Sequence, residues 1–286
     1  MKYRNIITYL TFLILLFGCE NNFIAETAAY IQIDNFIYQK KNELVDSNNY
    51  NLANITDAWI SMDGQVIGNF EIPFTAPVLE EGTHSFDIYP GIKANGISGT
   101  RIKYPFYEKF ETEITLEKNK IIQIYPETKY KEETLFYFEE QGQFEIGGTM
   151  FEKSSISDTT AIIQSETVFQ GEKSAAIYLD SINDYFDIRN IQALTLNINT
   201  FLELHFKSNI NFNIGIIILS PGNIEEKREL IQIYQTESWK KIYLDLSPLI
   251  SMGTNLSTFK IYIDGNYDNS KTQNNIYIDN LKLVYN

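Results

Sequence analysis

One thiol, two imidazoles, a set of carboxylates and two aromatic groups are the side chains of this sequence suited to chemistry. Cys19 is the only cysteine, so it has no partner for an internal disulfide and its thiol is free for modification. It follows Leu16-Phe17-Gly18 and an apolar run from Ile6 to Phe17, broken only by Thr8, Tyr9 and Thr11, behind Lys2 and Arg4. The two histidines, His84 and His205, fall in separate alternating segments. That spacing makes no zinc site, and no Gly-x-Ser-x-Gly elbow or phosphate-cradling glycine loop accompanies them. Glu132-Glu133, Glu139-Glu140 and Glu225-Glu226 are adjacent acids. Neighbours on a strand point to opposite faces, so neither member of such a pair assists the other in acid–base chemistry. Asp264, Asn266 and Asp268 place oxygen ligands at alternate positions, as a calcium loop begins. Asn269 stands where that loop needs glycine and Asn275 where it needs glutamate, which favours a hairpin loop. Asp279 is a further weak calcium candidate, with strand-end hydrogen bonding as its simpler role. Tyr104, Phe106 and Tyr107 form one aromatic group, which either packs inward, the commoner fate, or faces a protein partner. Tyr234 and Trp239 form the other, flanking a loop where a flat ring could stack on a sugar.

The elements that must position these residues are strands. Ile, Tyr and Phe are abundant, with 19 Tyr and 19 Phe against 7 Pro, and such residues suit pleated, half-buried surfaces. Tyr30 to Phe36 alternates apolar and polar positions. Ala58 to Met62 runs into Asp63-Gly64, a strong hairpin signal, and out through Gln65 to Gly68. Segments 83–89, 110–116 and 120–125 continue the pattern, so residues 30–130 are expected to form short antiparallel strands in a small β-sandwich. The polar, Asn-rich stretch 38–56 reads as a loop. The charged segment from Lys129 to Thr134 marks the boundary. Beyond it, 171–179, 202–206, 239–246, 259–263 and 276–285 read as strands. Ile214 to Leu219 is a continuous apolar run, as in a strand covered on both faces. One helical turn is expected near Leu249–Met252. The expected fold is therefore all-β: two β-sandwich domains, residues 30–130 and 131–286, the second a jelly roll, after a lipoprotein signal peptide.

The N-terminal pattern of positive n-region, apolar h-region, small residue and cysteine resembles a bacterial lipobox. It implies export, cleavage after residue 18, acylation of Cys19 and a tether over residues 19–29. More than one acyl chain, palmitate included, is enough for stable anchoring. Residues 58–64, Gly68, 77–88 and Gly91 resemble a PEGA-type surface domain, in which a strand, an Asp-Gly turn, a proline before a strand and a Gly-x-His turn recur in this order. Ile92 to Glu108 departs from that pattern as an insertion. The resemblance implies a structural or binding sandwich. Gly171-Glu-Lys-Ser-Ala, Ser238-Trp-Lys-Lys-Ile-Tyr-Leu-Asp-Leu and Ile276-Tyr-Ile-Asp-Asn-Leu-Lys-Leu resemble galactose-binding-like jelly rolls of the carbohydrate-binding-module type. The wording as a whole is similar to Bacteroidota outer-membrane lipoproteins.

Composition narrows the function classes. The formal net charge is -14, and loss of residues 1–18 would remove Lys2 and Arg4 but no acid. Such a surface argues against nucleic acid and against electrostatic adsorption to anionic lipid. Membrane attachment would then rest on the acyl chains of Cys19. The leading expectation is a non-catalytic lipoprotein of the outer membrane, facing the cell surface, that binds an outer-membrane protein through Tyr104, Phe106 and Tyr107 and assists outer-membrane protein or surface-lipoprotein assembly. The alternative is carbohydrate capture. No cofactor is expected beyond a structural calcium.

Overall fold

A computed structural model describes residues 27–39, 50–222 and 224–286. Cys19, the expected signal peptide and most of the expected tether lie outside the described residues. The first half carries ten strands: β1 (Ala29–Ile33), β2 (Ile37–Tyr38), β3 (Asp57–Met62), β4 (Gln65–Glu71), β5 (Phe74–Val78), β6 (Gly82–Lys93), β7 (Arg101–Lys103), β8 (Phe110–Leu116), β9 (Ile121–Ile124) and β10 (Glu127–Thr128). The second half carries β11 (Leu135–Tyr137), β12 (Phe151–Lys153), β13 (Ile162–Gln164), β14 (Ser174–Leu179), β15 (Tyr185–Asn190), β16 (Phe201–Ser208), β17 (Phe212–Ser220), β18 (Ile224–Ile233), β19 (Thr236–Asp245), β20 (Thr258–Asn266) and β21 (Asn274–Tyr285). Among the described residues helix is confined to single turns, α-helical at Tyr50–Ala53 and Ser247–Ile250 and 3-10 at Gln141–Gln143.

In the first sandwich, β4-β3-β6-β7, with β8 also on β6, faces β5-β1-β9. Period-two alternation sends Ile60, Phe86 and Ile88 from one sheet, and Ile31 and Ile33 from the other, into a common core. The Asp63-Gly64 turn forms with both residues at positive φ, 49° and 78°, as a tight hairpin turn that matches strand twist requires. Beside it, His84 Nδ1 lies 2.6 Å from Asp63 Oδ2, and its Nε2 lies 3.1 Å from the Glu81 carbonyl. That histidine ties two turns together. One expectation is corrected: the strands are not all antiparallel. β1 pairs with β9, and β2 with β10, in parallel. Each of these pairs is joined by a long crossover rather than a hairpin, a connection that local alternation does not reveal.

The second sandwich sets β13-β14-β21-β16-β19, with β11 on β21, against β12-β15-β20-β17-β18. Ile177, Leu202, Leu204, Ile214, Ile216, Ile261, Ile263 and Leu283 fill the space between, which makes the jelly roll. The apolar run in β17 is buried on both faces, Ile217 on the outer side being only 3 % exposed.

The insertion that interrupts the first sandwich joins the two halves. Residues 92–103 form a hairpin of β6 and β7. Its tip docks on β19, with Ala94 in a parallel bridge to Tyr243. The Asn95 N–H donates to the Tyr243 carbonyl at 2.7 Å, and Asn95 Oδ1 accepts from the Asp245 N–H at 2.9 Å. Below it, Ile92, Tyr104, Phe106 and Tyr107 pack with Phe201, Tyr243 and Val284 of the jelly roll.

Candidate functional site

Two concavities open near this junction. The smaller, about 200 Å³, is lined by Tyr38, Tyr130, Phe136, Gln170, Lys241 and Lys282 among others. The larger is an open cleft of about 1090 Å³ that runs along β19, on the scale of a ligand site. β19 ends its sheet. From Lys241 onward its edge is covered by the first half: Asn54 Nδ2 donates to the Lys241 carbonyl at 3.0 Å, and the Asn95 contacts follow. Over Thr236–Lys240 it pairs only with β16 among the described residues, and the cleft lies here.

The wall is aromatic and amide-rich. Trp239 is half-buried, with the Phe169 ring 5.8 Å away and tilted by 56°. Phe169 in turn stacks on His205 at 3.9 Å and 17°. Tyr234, 69 % exposed, stands at the β18–β19 turn. That turn is held from below: the Gln235 N–H donates to Asn211 Oδ1 at 3.1 Å, and Lys271 Nζ donates to Gln235 Oε1. Gln232, Gln235, Asn54 and Asn95 line the same cleft, as does Ile97 from the docked hairpin.

Asp279 holds Phe169 in place. Its carboxylate is fully buried. Oδ2 accepts the N–H groups of Phe169 and Gln170, both at 3.1 Å, and Oδ1 accepts that of Asn280 at 2.8 Å. Burial lifts its pKa to about 6, against the downward pull of those three N–H groups. The calcium candidates are not brought together. Asp264 faces Lys227 Nζ at 2.6 Å and Asn213 Nδ2 at 3.0 Å. Asp268 accepts from Ser270 N and Oγ at 3.0 and 2.6 Å, closing its own loop. Asn266 ends β20 and is exposed, whereas Asp279 belongs to the opposite sheet. Among the described residues no group of three or more His, Cys, Asp or Glu is placed to hold a metal ion.

Tyr104, Phe106 and Tyr107 are 3, 2 and 3 % exposed, so the structure puts them inside rather than on a face open to a partner. Their cluster closes around a charge that sequence reasoning missed. Glu203, on β16, has no exposure. Its oxygens accept from Tyr104 Oη at 2.5 Å, Tyr130 Oη at 2.7 and 2.8 Å, and Lys241 Nζ at 2.6 Å. Burial would raise its pKa. The neighbouring Lys241 and Lys282 charges and these hydrogen bonds outweigh it and hold the carboxyl at about 2. Burial pulls Lys241 down to about 8 even though Glu203 opposes the shift. Tyr104 and Tyr130 are driven well above the usual phenol range by burial and then by Glu203, so both remain donors. Tyr243 Oη completes the group, contacting Tyr107 Oη at 2.9 Å and the Ala53 carbonyl. The alternation around Leu202 and Leu204 was the available signal: it puts Glu203 and His205 together on one face of β16.

No protein-family model and no curated protein matches the chain. Among solved structures it is similar to a xylan-binding domain of carbohydrate-binding module family 22, at 12% identity and TM-score 0.34, covering 50% of this chain and 90% of that one. It is similar to a family 11 carbohydrate-binding module of a Clostridium thermocellum cellulosomal cellulase, at 17% identity and TM-score 0.34, over 50% and 91% of the two chains. A carbohydrate-binding module of the β-sandwich superfamily matches at 14% identity and TM-score 0.36, over 90% and 98%. At TM-scores in this range the likeness says nothing about what the cleft holds.

Proposed function

We propose that this chain is a non-catalytic glycan-binding lipoprotein whose ligand lies in the cleft along β19. The observation that carries the reading is the pairing of exposed Tyr234 and half-buried Trp239 on the wall of an open cleft of about 1090 Å³. A sugar ring has an apolar C–H face and a hydroxyl rim. Flat rings match the face, and amides such as Gln232 and Gln235 match the rim because each can both donate and accept. Among the described residues the cleft lining holds no Asp or Glu. It therefore lacks the two carboxylates that glycoside hydrolysis uses, and His205, 2 % exposed, is packed behind Phe169. Binding without turnover fits this set of groups.

The reading of the chain as an accessory subunit docked through Tyr104, Phe106 and Tyr107 loses its surface, because those rings fill the junction between the halves. Membrane attachment rests on residues 1–19: acylation of Cys19 would hold the cleft close to an outer membrane, on the cell-surface face. Palmitate labelling of the wild type and its loss in Cys19→Ser test that half of the proposal.

Affinity gel electrophoresis against a panel of soluble polysaccharides tests the binding half. At least one polysaccharide should retard the full chain, and Trp239→Ala should weaken that retardation about tenfold, or about 1.4 kcal/mol. Retardation by none of the panel, or by one that Trp239→Ala leaves unchanged, would remove the cleft from consideration.

A further inference from the structure

The charge of the cleft runs against the charge of the molecule. Acids outnumber bases 37 to 23 along the chain, yet among the described residues the lining contains three lysines, one histidine and no carboxylate. Two of the lysines are already answered. Lys93 Nζ lies 2.9 Å from Glu71 Oε1, and Lys241 Nζ lies 2.6 Å from buried Glu203. Lys240 is exposed and has no ion pair among the described residues. From this, and resting on the glycan reading above, we infer that the ligand is an anionic glycan, a polymer bearing uronate or sulfate groups, with Lys240 as its charge-reading residue.

The strand supplies the geometry. Alternation along β19 puts Trp239 on the face it shares with Lys241 and Tyr243, toward the first sandwich. Lys240 shares its face with Ile242 and Leu244, which point into the jelly-roll core. The cleft follows the open edge between these faces, so a polymer lying across Thr236–Lys240 meets a ring on one side and an ammonium on the other, with the exposed Glu237 on the same strand outside the cleft lining. The donor balance points the same way. An ammonium donates three hydrogen bonds and accepts none, and carboxylates, the strong acceptors that would serve sugar hydroxyls, are missing from the wall. A ligand rich in acceptors satisfies such a wall better than one rich in hydroxyl donors.

The test uses the purified full chain in affinity gels. One set holds acidic polysaccharides (polygalacturonate, alginate, chondroitin sulfate), the other neutral ones (laminarin, xyloglucan, galactan). The expected result is retardation by at least one acidic polymer and by no neutral one, falling several-fold between roughly 50 and 300 mM salt. Lys240→Gln should weaken it about tenfold and flatten the salt dependence, while Trp239→Ala weakens it at every salt concentration. Circular dichroism confirms that both variants are folded. Retardation by neutral polymers only, or acidic binding that Lys240→Gln leaves intact, overturns the charge inference and leaves the glycan reading standing. Retardation by neither set overturns both.

Discussion

Glu203 is a carboxylate that the fold can bury only because four groups converge on it. Its two oxygens take three protein donors, Tyr104, Tyr130 and Lys241, with Lys282 nearby. Breaking a buried pair by removing one partner leaves an uncompensated charge, which is costly. The pH consequence follows from its sign. The folded-state pKa is depressed, from an ordinary 4.5 to about 2. The stabilisation is therefore complete above pH of about 4.5 and is lost as pH falls toward 2, on the order of 3 kcal/mol in all. Thermal midpoints measured from neutral pH downward should drop steeply in that window for the wild type and more gently for Glu203→Gln, which should start lower. Parallel curves would mean that another group sets the acid limb. Asp279 has the opposite sign. Its folded pKa is raised to about 6 from 3.8, so its contribution is present at acid pH and is lost as pH rises through about 6. Because the same carboxylate fixes the Phe169 backbone, Asp279→Ala should loosen the Phe169–Trp239 wall. Tryptophan fluorescence, shifted to the red in the variant, reads this directly.

At the scale of elements, the edge strands β18 and β19 make the cleft, and a single glycine sets how β18 lies. The register between β17 and β18 shifts between Ile214 and Gly215. A Cβ at Gly215 would come 2.2 Å from the Arg228 carbonyl and 2.6 Å from the Tyr262 ring. That space does not exist, and backbone cannot swing aside as a side-chain tip can. Gly215→Ala should therefore cost about 1–3 kcal/mol, as overpacking does, and displace the turn that carries Tyr234. A midpoint of chemical denaturation within error of wild type would contradict this account of the bulge. The β6–β7 hairpin is the second controlling element. It covers the β19 edge at Tyr243–Asp245, with Asn54 covering Lys241, and stops short of Thr236–Lys240, which both protects the strand from edge-to-edge pairing and leaves the cleft open. Sequence alone marked this stretch as an insertion between Ile92 and Glu108. It could not say that the insertion fastens two sandwiches.

For the whole molecule, the halves meet through a continuous aromatic cluster rather than a linker. Tyr104 sits with its ring centroid 4.8 Å from Tyr243 and 5.4 Å from Phe201, and the polar groups among these rings are paired. An interface of this kind couples the stabilities of the units it joins. Calorimetry of the wild type should show one transition. Tyr104→Ala removes a buried ring and a donor to Glu203, at a cost of about 3–5 kcal/mol, and should split the transition in two. Two resolved transitions in the wild type would show that each half is stable without the other.

The sequence by itself determined many of the strands, though not β12, β13, β15 or β18, together with the Asp63-Gly64 hairpin, the burial of the Ile214–Leu219 run on both faces and the all-β class. Each of these depends on period-two alternation or turn chemistry within a few residues, which local sterics enforce. It also supplied the expectation at Cys19, where a short apolar run and one thiol suffice. Only the tertiary structure decided what the chemistry-bearing residues face. Tyr104 and Glu203 are 99 positions apart, and Asp279 and Phe169 are 110 apart. The parallel pairing of β1 with β9, the burial of Tyr104, Phe106 and Tyr107, and the dispersal of Asp264, Asn266, Asp268 and Asp279 depend on which sheets come to lie together. That choice is made by summed packing over both sandwiches, and no short window of the chain contains it.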